Sequence, residues 1–184
     1  MINKRLSIYS EPSVEPVSLS EVKAILRIDS TDEDSLLTSL IETARLQCEQ
    51  YTKRAFITQT WEIYQDGYDG ADYIELMNLP IISIISLTTY DTANIASIFD
   101  SSKYSLIQDK LVLNEGEVFP SDLRIHFPIV TKFYCGHGAA SQYVPEGIRT
   151  AIMYQIQALY EGCEPSQLNN KTKALLFPYK ILKS

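Results

Sequence analysis

Cys135 and His137 lie two residues apart in "CGHGAASQY" and have the means for nucleophilic chemistry, because an imidazole that takes a thiol proton leaves a thiolate able to attack a carbonyl. Residues i and i+2 of a loop rarely bring a thiol and an imidazole to hydrogen-bonding distance, and no nucleophile elbow or oxyanion signature surrounds this pair. "GHG" also lacks the lysine and the strand-glycine-helix context of a phosphate-cradling loop, so its glycines are expected to supply positive φ before the next helix. The second histidine, His126, falls on the polar side of an expected strand in "LRIHFPIV". A metal site built from both histidines and a cysteine would need the fold to gather them, and their spacing does not demand it. The cluster Asp29, Asp32, Glu33 and Asp34 lacks the alternating oxygens, the glycine and the terminal glutamate of a calcium loop. Carboxylates before a helix are better explained by the helix dipole. The expectation is a protein with no catalytic residue, no cofactor and no metal, and not an enzyme.

The 184 residues fit one domain, or one domain with a sizeable insertion, and 45% hydrophobic content is ample for a core. No apolar run approaches the roughly 20 residues that cross a bilayer. "MINKRLSIYSEPS" has no apolar segment or small-residue cleavage site, so the chain is expected to be made and kept in a cytoplasm. Three cysteines, Cys48, Cys135 and Cys163, form no close pair and read as reduced, mostly buried thiols. A net charge of −7 disfavours binding through neutralised phosphates. Twelve tyrosines suit protein interfaces and β-sheets alike.

The elements follow from periodicity. In "PVSLSEVKAILRIDSTDEDSLLTSLI", Ser18 and Glu21 form a capping box with Val17 and Val22 as its staple, and a helix starts at Leu19. A second helix is expected from about Asp32 to Arg54, its core stripe Leu36, Leu37, Leu40, Ile41, Ala44, Cys48 and Tyr51. Its opposite face carries Glu42, Arg45, Glu49, Gln50 and Lys53, with Glu49 four residues before Lys53. From Thr58 to about Tyr134 short runs read as antiparallel strands: "TQTWEIYQ", "YIELMNL", "IISIISLTTY", "IASIF", "KYSLIQ", "KLVLN" and "LRIHF". "DGYDGAD" is an expected loop and "QDK" a tight hairpin turn. A third helix begins near Pro145, with core stripe Ile148, Ile152, Ile156 and Leu159, and stops at Gly162 and Pro165. Its stretch Thr150 to Tyr160 is uncharged, so burial on a second side is expected, against the β region or a neighbouring subunit. After the polar "SQLNNKTK" come Leu175, Leu176, Phe177, Tyr179, Ile181 and Leu182, too apolar for a free end. They are expected to leave as an arm that packs on another protein, the alternative being a return to their own core.

The fold class expected is α+β: a small bundle of three main helices with an inserted antiparallel β module. The boundaries are a helical part over 1–57, the β insertion over 58–135, a completing helix over 136–165 and a docking arm over 166–184.

"PVSLSEVKAILRIDSTDEDSLLTSLIETARLQCEQYTKRAFITQTW" closely resembles the opening of the head-tail connector (adaptor) proteins of long-tailed bacteriophages and prophages, with their "pvsLeEvKahLRid...eDdlL..lI.aAre.ve.ytgralitqt" pattern. The resemblance returns at "VPEGIRTAIMYQIQALYEG" and covers about a third of the chain. The middle matches larger members that carry a β insertion between helices, and "YTKRAF" departs where a glycine often follows the threonine. The resemblance implies a virion protein at the neck, assembled in the host cytoplasm, that forms a ring of about twelve copies. The ring would dock under the portal protein, through the arm residues named above, and offer its lower surface to a stopper or tail-completion protein. Subunits would meet through Glu42, Arg45, Glu49, Lys53, Met153, Tyr154, Gln157 and Tyr160. DNA would pass through the ring without sequence-specific binding, and no membrane is involved. A non-viral interaction module and a Cys/His hydrolase are the competing readings.

Overall fold

The computed structural model describes residues 3–67, 73–162 and 167–181. They form two units, each built from two separate stretches of chain.

The helical unit comprises Pro12–Thr58 and His137–Ser184. Helix α1, Leu19–Leu26, starts at the expected capping box: the Ser18 N–H donates to Glu21 Oε2 at 2.7 Å and the Glu21 N–H donates to Ser18 Oγ at 3.3 Å. Val17 and Val22 are buried together behind it. Helix α2, Asp34–Thr52, buries Leu37, Ile41, Ala44, Cys48 and Thr52. It ends where Lys53 turns to φ 60°, and α1 ends the same way at Arg27. Leu36, expected in the core, lies to one side of that stripe and is 49% exposed. Helix α3, Glu146–Tyr160, follows Pro145 and buries Ile148, Ala151, Ile152 and Ile156 against the same core. Full burial of each such side chain is worth about 1.5 to 3 kcal/mol, so this cluster dominates the unit's stability.

A fourth helix corrects the three-helix expectation. The Asn169 side chain accepts the Lys171 N–H at 2.9 Å and so caps α4, Asn170–Leu176. The stretch "SQLNNKTK" therefore supplies a helix start within its described part. Buried Thr172 donates its hydroxyl to the Ala151 carbonyl at 3.3 Å. Gln155, buried in α3, donates to Gln47 and to the Gln167 carbonyl and accepts the Asn169 N–H, which fixes the approach to α4. Pro178 ends regular helix as expected, in a single 3₁₀ turn over Phe177–Tyr179. Cys163 and Pro165 lie outside the described residues.

The β unit comprises Met1–Glu11 and Gln59–Gly136. Residues 3–11 thus belong with the sheet, so the 1–57 helical boundary and the single insertion over 58–135 do not describe the division observed. Its larger sheet is antiparallel, in the order β1 (Lys4–Ser10), β2 (Gln59–Gln65), β8 (Ile129–Cys135), β4 (Ile81–Tyr90) and β5 (Ala96–Ile98). In β8 Ile129, Thr131, Phe133 and Cys135 point to the core while Lys132 and Tyr134 are more open, the period of two that a half-covered sheet requires. A smaller sheet joins β3 (Tyr73–Glu75), β7 (Lys110–Leu113) and β6 (Tyr104–Ile107). Gln108 and Asp109, at φ 46° and 64°, make the tight turn between β6 and β7 that "QDK" predicts. Most of "DGYDGAD" lies outside the described residues.

"LRIHF" is not a strand. Leu123 makes one isolated bridge to Asp91, Ile125 is 83% exposed, and Phe127 adopts φ 47° with its N–H donated to the Asp66 carboxylate at 2.8 Å.

Candidate functional site

The residues with chemical potential take up structural positions. Cys135 is buried in β8, its thiol 3.8 Å from the Gln59 carbonyl, while His137 belongs to the helical unit. His137 is half-buried; burial first, and the Arg54 guanidinium second, hold its imidazole below the usual histidine value. Gly136 and Gly138 take φ of 121° and 152°, as their place before the helix predicts, and a Cβ on Gly138 would run into the Tyr143 ring. His126 is exposed, 4.0 Å from Asp66. Asp34 pairs with Lys23 at 2.7 Å, Glu33 accepts the Tyr160 hydroxyl at 2.9 Å, and Asp32 accepts the Ser30 hydroxyl at 3.0 Å. Among the described residues no group of three or more His, Cys, Asp or Glu is placed to hold a metal ion.

The proposed subunit-contact residues divide into two sets. Arg45 and Glu49 are enclosed: Arg45 is 2% exposed, with its Nε 2.8 Å from Glu15 and its Nη1 3.0 Å from Glu49. Burial pulls the Arg45 pKa down, and Glu49 and Glu15 outweigh it and hold the guanidinium above its ordinary value. Glu49 also accepts the Phe56 N–H at 2.7 Å, so this carboxylate turns inward and does not form the Lys53 pair that spacing suggested. Glu42 and Lys53 stay on the outer face of α2 with Leu46 and Gln50. The hydroxyls of Thr38, Ser39 and Thr43 there donate to the carbonyls four residues before them.

Met153, Tyr154 and Gln157 line a groove of about 450 Å³ together with Ile25 and Thr150. Tyr160 stands at the end of α3 with its hydroxyl on Glu33. Lys171, at the start of α4, places its ammonium 5.6 Å from the Tyr154 ring centroid. This groove, between α1 and α3, was visible in sequence only as an absence of charge in α3.

The C-terminal residues expected in a docking arm pack at home. Leu176 is fully buried in the helical core, and Leu175 and Tyr179 pack against it. The Tyr179 carbonyl accepts Arg54 Nε at 2.6 Å and the Ile181 N–H donates to the Thr52 carbonyl at 3.0 Å. Phe177 points away, 62% exposed, and Leu182 lies outside the described residues. Gly147 makes the return possible, because a Cβ there would meet the Tyr179 hydroxyl at 2.8 Å.

Comparison with known proteins gives these surfaces a context. The family model for phage gp6-like head-tail connector proteins matches residues 16–122, more than half of the chain. The match takes in much of the β unit, beyond the Pro16–Trp61 stretch that carries the N-terminal resemblance. No curated protein matches. Among solved structures, a chain in the neck of an empty gene transfer agent particle, computed with C6 symmetry, superposes with a TM-score of 0.81 at 18% identity, covering 98% of this chain and 97% of that one. A chain of the native gene transfer agent virion gives 0.78 at 17%, covering 97% and 96%. A chain in the native particle's neck, computed with C12 symmetry, gives 0.78 at 17%, covering 97% of each. These likenesses are likenesses of fold, across both units. By the family match, the chain belongs to the phage gp6-like head-tail connector proteins and is a structural protein of the junction between head and tail.

Proposed function

We propose that the chain works as a ring of identical subunits beneath the portal, joining the capsid to a stopper or tail-completion protein while DNA passes through. The family match over 16–122 carries this reading. Two physical features support it. The helical unit offers two dissimilar, weakly charged faces, the outer side of α2 and the α1/α3 groove, and contacts between different patches of identical subunits close into rings. A net charge of −7 suits a conduit that must not hold DNA. Neck structures that contain similar folds were computed with C6 and C12 symmetry, which supports a symmetric ring of about twelve copies as the reading proposed for this chain.

Subunit contact then falls to Glu42, Lys53, Met153, Tyr154, Gln157 and Tyr160, with Arg45 and Glu49 supporting them from inside. Portal docking falls to Phe177, which the return of the tail leaves exposed, and not to a detached arm. The reaction-free role leaves Cys135 and His137 as packing residues. Mixing the protein with its portal and imaging the product tests the proposal: ordered rings seated on portal are expected, and isolated monomers on portal would refute it.

A further inference from the structure

The groove between α1 and α3 is lined by Ile25, Thr150, Met153, Tyr154 and Gln157 and has no charged side chain in its lining. Ile25 and Tyr154 are both exposed, although each would gain by burial. At the rim stands Lys171, its ammonium held over the Tyr154 ring. The groove therefore asks for an apolar side chain accompanied by an acid.

The outer face of α2 offers that pair. From Ser35 to Gln50 its exposed side chains are serine, threonine, leucine and glutamine apart from one charge, Glu42. Leu46 is 37% exposed and stands four residues after Glu42, so the two are surface neighbours about 6 Å apart. The hydroxyls around them are already spent on backbone carbonyls and lose nothing when covered. This face lies on the far side of α2 from Leu37, Ile41 and Cys48, so it cannot reach the groove of its own chain.

Resting on the ring reading above, we propose that the occupant of the groove is α2 of a neighbouring copy, with Leu46 seated against Tyr154 and Met153 and Glu42 paired with Lys171. Charge complementarity selects a second copy. Two chains of charge −7 repel, and this pairing joins an uncharged apolar contact to one opposite-charge pair. The two patches differ, so each copy uses one with each neighbour and the contact propagates around a ring.

A charge exchange tests the contact on portal-bound protein, with the assembled fraction read by native mass and imaging. Glu42→Lys and Lys171→Glu, made separately, should each weaken assembly about tenfold per contact, since each sets like charges together. The double variant in one chain, and an equimolar mixture of the two single variants, should both recover rings. Both residues are exposed, so unchanged thermal melting verifies that the variants are folded. Leu46→Asp should abolish rings without recovery by either exchange. Single variants that assemble like the unmodified chain, or a double variant as poor as the singles, overturn the pairing while the ring stands. Failure of the unmodified chain to form rings on portal refutes the ring reading itself and this inference with it.

Discussion

Glu42 and Arg45 stand three positions apart on α2, and the two charges have opposite fates. Arg45 lies on the inner side, clasped by Glu15 and Glu49, where each carboxylate has given up much of its water for one guanidinium. Glu42 stands outside among serines, threonines and Leu46. The inner charges are committed to holding α2 against the segment that precedes α1, and the outer one is free to meet another molecule. A helix can therefore carry folding and assembly on opposite sides, and variants on the two sides should separate stability from association.

The largest effect is expected furthest inside. Deleting residues 174–184 removes Leu176 from the core together with the Tyr179 seat against Gly147, and should lower unfolding free energy by about 4 kcal/mol or more. Urea denaturation measures it; an unchanged midpoint would mean that the tail is not part of the fold. Arg45→Ala removes the guanidinium that Glu15 and Glu49 share in a mostly enclosed place, and a loss of about 3 kcal/mol is expected in the same assay. A loss below about 1 kcal/mol would place this network with ordinary surface pairs.

Ser18→Ala should cost about 1 kcal/mol through loss of the α1 cap. It carries a pH signature. Hydrogen bonds from the Ser18 backbone and side chain, then the Arg149 charge, hold the Glu21 carboxyl below its ordinary value. Its contribution is thus present above the unfolded-state pKa and lost as pH falls through the lower folded value. Melting followed across that acid range should show a shallower loss in the Ser18→Ala protein than in the unmodified chain. Glu42→Lys, at the outer end of the comparison, should change the unfolding free energy by less than about 0.5 kcal/mol while weakening assembly.

What could be read from the sequence was what local contacts decide. Ser18 and Glu21 are three residues apart, and Gln108 and Asp109 are adjacent, so the α1 cap and the β6/β7 turn were legible. Arg45 was assigned to the outer, subunit-contact face because its charge suggests exposure on α2, whereas its partner Glu15 lies outside the helix, 30 residues earlier. Strand β1 escaped notice because "KRLSIYS" acquires meaning only when Leu6 meets Ile63 and Ile8 meets Trp61, partners separated in sequence by α1 and α2. "LRIHF" alternates like a strand, yet the donation from Phe127 to Asp66 bends the chain into positive φ before Pro128. The groove was half legible: Met153, Tyr154 and Gln157 stood out in an uncharged helix, while Ile25 and Lys171 come from elements that only the fold brings beside them.

The division into two discontinuous units also sets a schedule for biosynthesis. The β unit is complete in covalent terms once Gly136 has been made, but the helical unit also needs His137–Ser184, which is made later. At about 5 to 20 residues per second, the 48 residues of His137–Ser184 take roughly 2 to 10 seconds more to be added. For that interval α1 and α2 wait without α3 or α4, and a nascent chain has the outer face of α2 but no groove beside Lys171 to receive another. Under the proposed contact between α2 and the groove, neighbouring chains on one messenger cannot propagate a ring until α3 and α4 have been made, so the order of translation itself delays polymerisation.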